Sequence, residues 1–300
     1  MSRNRVGTIA GVCLSLLAVA PVYAQRGQQQ RIGAPPTGKN IVMIVGNENG
    51  TVLPGTSISD VFIKNYLELD LGHKVIRIPD STEADKMLAF ANAADLVIVV
   101  ESVGSGTVGK KLVSTPTPIL TSEAFLQDEF GLVNPQGKPL DPGLPDAGAF
   151  GAIENQSAIT IVNPGHPLAA GLKGRVQVYR FPREMNWGKE TAPGVEAIAT
   201  LTDYPTAKLI YLVRKGAKLY DGSPAPGLRI QFFVENDNET GTANLMTPDG
   251  LKLWGAAVKY ALATDQPATR PAMPPQDPPP ARGRGRGTPP AGQAPPPAGR

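Results

Sequence analysis

Cysteine is almost missing: Cys13 is the only one in 300 residues. It sits inside an N-terminal apolar run that reads as a cleaved leader, so the mature chain can form no disulfide, no thiolate metal ligand and no cysteine nucleophile. Histidine is nearly as scarce, with two copies, which excludes the repeated imidazole spacing of a zinc site. No apolar run reaches the roughly 18–20 residues that span a bilayer. No internal repeat is present either.

Charge is sparse and unevenly placed. The formal net charge is +3, yet from Asn40 to Thr264 the chain has 19 Lys and Arg against 24 Asp and Glu. The central region is therefore acidic, which excludes a basic nucleic-acid-binding surface on the folded domain. Its 41% hydrophobic content over the whole chain is ordinary for a globular protein.

Both ends read as something other than core. Arg3 and Arg5 precede the run Val6 to Val19, and Val22-Tyr23-Ala24 supplies the small residues of a cleavage site. That pattern predicts a signal peptide over 1–24 and a secreted or periplasmic protein. Residues 25–39, with Gln28-Gln29-Gln30 and Pro35-Pro36, predict a flexible leader. Residues 265–300 carry Pro278-Pro279-Pro280 and Arg282-Gly283-Arg284-Gly285-Arg286-Gly287 and predict a disordered tail. The tail is either a solvated spacer or a cationic ligand for an anionic envelope polymer.

Between these ends, 40–264 alternates strands with helices. Ile41 to Val45 and Leu96 to Val100 are continuous apolar runs, as strands buried on both faces require. Ser57 to Leu69 predicts a helix burying Ile58, Val61, Phe62, Tyr66 and Leu69, closed by Gly72. Val75 to Ile78 is the intervening strand, Ser81 to Ala91 a second helix, and Ser122 to Phe130 another. The βαβαβ order predicts an α/β fold with a parallel sheet and helices on both faces, whose ligand crevice lies at the carboxyl ends of the strands. Residues 131–156 read as an irregular excursion. Later strands at 158–162, 176–179, 197–201, 208–213 and 228–234 are mixed or antiparallel, and Thr247-Pro248-Asp249 opens a last helix.

The segments Asn40 to Asn47, Asp95 to Ser105, Pro118 to Glu123 and Gly227 to Glu235 resemble, in order and spacing, the flavodoxin-like fold of class I glutamine amidotransferases. In that family the second segment supplies the oxyanion loop, the third a nucleophile elbow, and the fourth a histidine and glutamate. The resemblance puts the catalytic cysteine at Glu123 and the histidine at Phe233; only Glu235 keeps its family type. Thr121 and Ala124 replace the elbow glycines. The resemblance thus implies a degenerate triad without glutaminase activity. Asn163 to Leu172, with His166-Pro167-Leu168, is similar to a segment of the trehalose-utilisation-type, non-amidotransferase branch.

Chemistry must then come from what remains at the strand ends. Glu101, Glu123 and Glu235 each follow a strand, which predicts a shared crevice with Asn47 and Ser102 as further ligand-binding residues. Glu48 is a fourth carboxylate with a weaker case. Crowded carboxylates would raise a pKa or attract a divalent cation, though no confident metal set or cofactor emerges. The opposing reading is three solvated or helix-capping carboxylates. His166 could support them as a base, or only shape its loop; Glu235-Asn236-Asp237-Asn238-Glu239 lacks the glycine of a calcium loop. Trp187, Tyr179 and Tyr204 could stack on a sugar or fill the core. The expected function is small-molecule or carbohydrate binding in the crevice, against a carbohydrate hydrolase using Glu123 and Glu235, or an envelope protein acting through its tail. Oligomeric state leaves no signature.

Overall fold

A computed structural model describes residues 38–46, 57–136, 148–235 and 241–276. The leader, Asn47, Glu48, the segment 236–240 and the Arg-Gly run lie outside them.

Strands β1 (Asn40–Val45), β2 (Lys74–Pro79), β3 (Leu96–Val99) and β4 (Ile119–Thr121) alternate with helices α1 (Ile58–Asn65), α2 (Ala84–Ala93) and α3 (Ser105–Val108). Then come β5 (Phe150–Gln156), β6 (Ala158–Ile161), β7 (Gly174–Gln177), β8 (Arg183–Gly188), β9 (Val195–Leu201), β10 (Lys208–Val213), β11 (Arg229–Gln231) and α4 (Pro248–Ala263). The sheet runs β2-β1-β3-β4-β11-β10-β9-β6-β7, with β8 pairing β10 and β5. From β2 to β11 neighbours are parallel; from β11 to β7 they are antiparallel. This is a mixed α/β fold with the strand order of a flavodoxin-like sheet in its first half.

The apolar runs are buried on both faces because each face has its own core. Ile41, Met43 and Val45 join α1 and α4 on one side, where Ile63, Leu253 and Trp254 pack. Val42 and Ile44 join Met87 and Phe90 of α2 on the other. Thr247 caps α4 as its position suggested, its Oγ1 accepting from the Gly250 N–H at 3.1 Å. No helix among the described residues is long and apolar enough to cross a membrane.

Four expectations change. Helix α1 turns a different face inward: Ile58, Val61 and Leu69 are exposed while Ile63 and Leu67 are buried. Polar contacts set this rotation, since Ser59 Oγ accepts from the N–H groups of Thr242 (2.7 Å) and Ala243 (3.2 Å). A π-turn over Tyr66–Asp70 then swings Leu69 outward. Residues 122–130 form only a 3-10 turn, Ala124–Leu126, followed by turns. Part of the supposed irregular excursion is β5, paired along β8.

The domain also continues past Thr264. Asp265 pairs with Arg214 at 3.1 Å and accepts from the Lys215 N–H at 3.0 Å. Arg270 donates from Nε to the Ala94 carbonyl at 2.8 Å and pairs with Asp95 at 3.5 Å. Met273 packs on the α2-side core. Residues 265–273 are thus a strap on the domain, whose contacts extend past the expected boundary at Thr264 to at least Met273.

Candidate functional site

Strands β4 and β11 lie side by side in parallel, with Thr121 opposite Gln231. Chain leaving both strands in the same direction brings Glu123 and Glu235 to one end of the sheet. An amide locks these two exits together. Asn186, fully buried on β8, donates from Nδ2 to the carbonyl of Ser122 and to that of Val234, the latter at 3.0 Å. Each carbonyl belongs to the residue just before one of the glutamates, so Asn186 fixes their relative position.

Glu123 is 3% exposed. Its Oε1 accepts from the Phe125 N–H at 2.9 Å, which caps the 3-10 turn. Its own N–H donates to Thr121 Oγ1 at 3.2 Å. The backbone at Glu123 is extended, with φ −72° and ψ 118°; the strained turn of a nucleophile elbow is absent. Burial pushes the Glu123 carboxyl up to about 8, the Phe125 hydrogen bond opposes this, and the charges of Glu235 and Glu129 add to it. At neutral pH this carboxyl holds its proton and can donate a hydrogen bond.

The surroundings combine apolar walls with unused polar atoms. Phe233, at the family's histidine position, is fully buried, stacked on Phe232 at 4.6 Å and edge-on to Tyr179 at 5.5 Å. Tyr179 is held well above its ordinary pKa by burial first and by the Glu235 charge second. Ser122 Oγ and Asn186 Oδ1 are buried with no hydrogen-bond partner among the described residues. Buried orphans of this kind await a ligand or ordered water.

Glu101 follows β3, whose Val99 lies opposite Thr121 of β4, so it leaves the sheet at the same end as Glu123, and it is half-buried. The Ser102 hydroxyl is already committed, accepting from the Gly46 N–H at 3.0 Å and donating to Asp60 at 2.6 Å. The neighbouring Gly104 N–H is taken by the Asp80 carboxylate at 2.9 Å. Trp187 and Tyr179 are core residues with no exposed ring face. Asn47 and the 236–240 loop lie outside the described residues.

His166 belongs to the opposite end of the sheet. It follows β6 near Glu196, with Nε2 3.9 Å from its carboxylate. Glu196 is opposite Leu212 at the far end of β10, and Val213 there pairs with Arg229, the start of β11. His166 therefore cannot assist Glu123 and Glu235, which lie beyond the strands' carboxyl ends. Its Nδ1 instead accepts from the Leu168 N–H at 3.1 Å and its ring packs on Tyr260.

Sequence reasoning missed Asn186 as a site residue. The one local signal for Asn186 was a buried-strand position between Met185 and Trp187 occupied by an amide, visible only once β8 is recognised as a strand. Among the described residues no three potential metal-ligating side chains come together.

No family model matches the chain, and no curated protein is similar to it. Among solved structures, it is similar to a ThuA-like protein from Bacteroides uniformis, with a TM-score of 0.44 and 9% identity over 79% of this chain and 96% of that one.

Proposed function

We propose that this chain is an exported, amidotransferase-like domain without glutaminase chemistry, whose strand-end crevice binds a small neutral molecule, carbohydrate being the class its groups suit. The observation that carries the reading is the burial of Glu123 beside Glu235, which pushes the Glu123 carboxyl up to about 8 and favours its protonated form at neutral pH. Around them, donor and acceptor groups occur together: the Glu123 acid proton, the Ser122 hydroxyl, the Asn186 Oδ1 and the Glu235 carboxylate. Hydroxyl groups, which donate and accept at once, match such a mixture; an anionic ligand would meet the Glu235 charge.

Thermal-shift titration of the protein against neutral sugars, sugar acids and amines tests it. A ligand at 100 times its Kd stabilises by about 2.7 kcal/mol, which for a domain of this size is a rise of roughly 5–10 °C. Neutral hydroxyl compounds should give that rise and sugar acids should not. A panel in which no neutral compound moves the transition would refute the reading.

One observation favours a hydrolytic variant: a protonated carboxyl beside a second carboxylate is the pairing general acid–base catalysis uses. Turnover of chromogenic glycosides by the wild type, abolished in Glu123→Gln, would establish it; binding without turnover would leave the crevice a binding site. Ammonia release from glutamine should stay at the level of a protein-free blank.

A further inference from the structure

A cleft of about 470 Å³ lies between the turn at 128–135 and the arm joining β10 to β11. Its polar lining is mostly acidic: Asp128, Glu129 and Asp221 against Lys110. Asp128 and Glu129 lie side by side with their carboxyl groups hydrogen-bonded to each other, and Asp128 Oδ1 and Glu129 Oε2 are buried with no other hydrogen-bond partner among the described residues. Asp221 spends Oδ1 on the N–H and hydroxyl of Ser223, at 2.9 and 2.6 Å. Beside these carboxylates, Tyr220, Pro224 and Pro226 supply an aromatic and proline wall. A cationic, proline-containing extended segment is complementary to such a surface in charge and in shape.

The chain supplies that segment itself. The strap carries Met273 onto the α2-side core, the same cluster to which Val133 belongs and on which Leu219 packs; both also line the cleft. Beyond Gln276 the sequence continues with Pro278-Pro279-Pro280 and then Arg282, Arg284 and Arg286. At ~3.1 Å per residue in an extended polyproline segment, Arg282 reaches about 19 Å from Gln276 and Arg286 about 31 Å.

We infer that the chain's own segment 277–287 docks in this cleft, prolines against Tyr220 and Pro226 and an arginine guanidinium between Asp128 and Glu129. Guanidinium is the group that satisfies two adjacent carboxylates through paired N–H donors. Docking would withhold the arginines from outside anions until a competitor or salt frees them, so the tail is regulated by its own domain. This inference does not rest on ligand binding at Glu123 and Glu235, although the Glu129 charge acts on Glu123.

The test is paramagnetic relaxation in the full chain, with Cys13→Ser and a spin label on Thr288→Cys. At about 50 mM salt the amide signals of Glu129, Gly131, Tyr220 and Ser223 should broaden selectively, and they should recover several-fold in about 0.5 M salt, where the screening length falls to a few ångströms. Recovery is also expected in Asp128→Asn/Glu129→Gln. Replacing Arg282, Arg284 and Arg286 by Ala should abolish the broadening without altering the other signals. No selective broadening, or broadening unmoved by salt and by both sets of substitutions, would overturn the inference. Equal broadening between labelled and isotope-labelled chains in a mixture would assign the cleft to a second copy's tail and overturn it likewise.

Discussion

Replacing Glu123 by Gln keeps the shape of the side chain and its acceptor for the Phe125 N–H, but removes its ionisation. In the unfolded chain the carboxyl titrates at 4.5 and in the folded protein at about 8. The folded state therefore binds the extra proton between these values, and wild-type stability falls as pH rises through that window. At pH 4.5 the folded carboxyl is neutral and the unfolded one half ionised, so the penalty is only about 0.4 kcal/mol. At pH 7 it is on the order of 3 kcal/mol, and above pH 8 it levels off near roughly 5 kcal/mol. The glutamine variant carries none of it. Urea denaturation at pH 5, 7 and 9 should show the variant more stable than wild type by an amount that grows with pH. Glu68→Gln is the control: its pairing with Lys64 on the surface of the turn after α1 is worth only about 0.3–0.5 kcal/mol. A Glu123→Gln advantage that is constant across pH, or a loss of stability at every pH, would refute the burial of a protonated carboxyl.

Ending the chain after Thr264 rather than after Gln276 removes the Asp265 and Arg270 contacts and the Met273 packing; thermal melts should show a loss of roughly 2–4 kcal/mol, whereas ending it after Gln276 should change little. Asn186→Leu leaves the Ser122 and Val234 carbonyls without their shared donor and should cost about 2–4 kcal/mol in chemical denaturation, while a Glu235→Gln change of similar shape should not. His166 has its pKa lowered, by burial first, so the folded state resists the proton. Its contribution is fully present above the unfolded value of 6.5 and fades as pH falls through 6.5 toward the lower folded value. His166→Asn should flatten that part of the acid limb in a pH series of melting curves, and an unchanged limb would count against it.

The parts of this protein that short windows of sequence determine are those governed by local physics. Continuous apolar runs at 41–45 and 96–99 can only be strands with a core on each face, and the helices between them impose parallel crossovers. Thr247-Pro248-Asp249 starts α4 because capping and a fixed proline φ act within one turn. The absence of cysteine beyond Cys13 excludes a thioester whatever the fold. Tertiary structure decided the rest, because those contacts join residues that no window contains. Asn186 reaches Ser122 across 64 positions and Val234 across 48, and only that bridge makes a site of two glutamates from separate strands. Helix α1 presents Ile63 rather than Ile58 because Ser59 must meet the N–H of Thr242, 183 residues on. The strap is held by Arg270 finding a carbonyl 176 positions earlier, against a composition that by itself reads as disorder. His166 and Glu123, both conspicuous in the chain, lie at opposite ends of the sheet because β11 runs parallel to β4 while β10 runs antiparallel to β11. Strand direction is set by the paired backbone, and it leaves no mark on the side chains that would announce it beforehand.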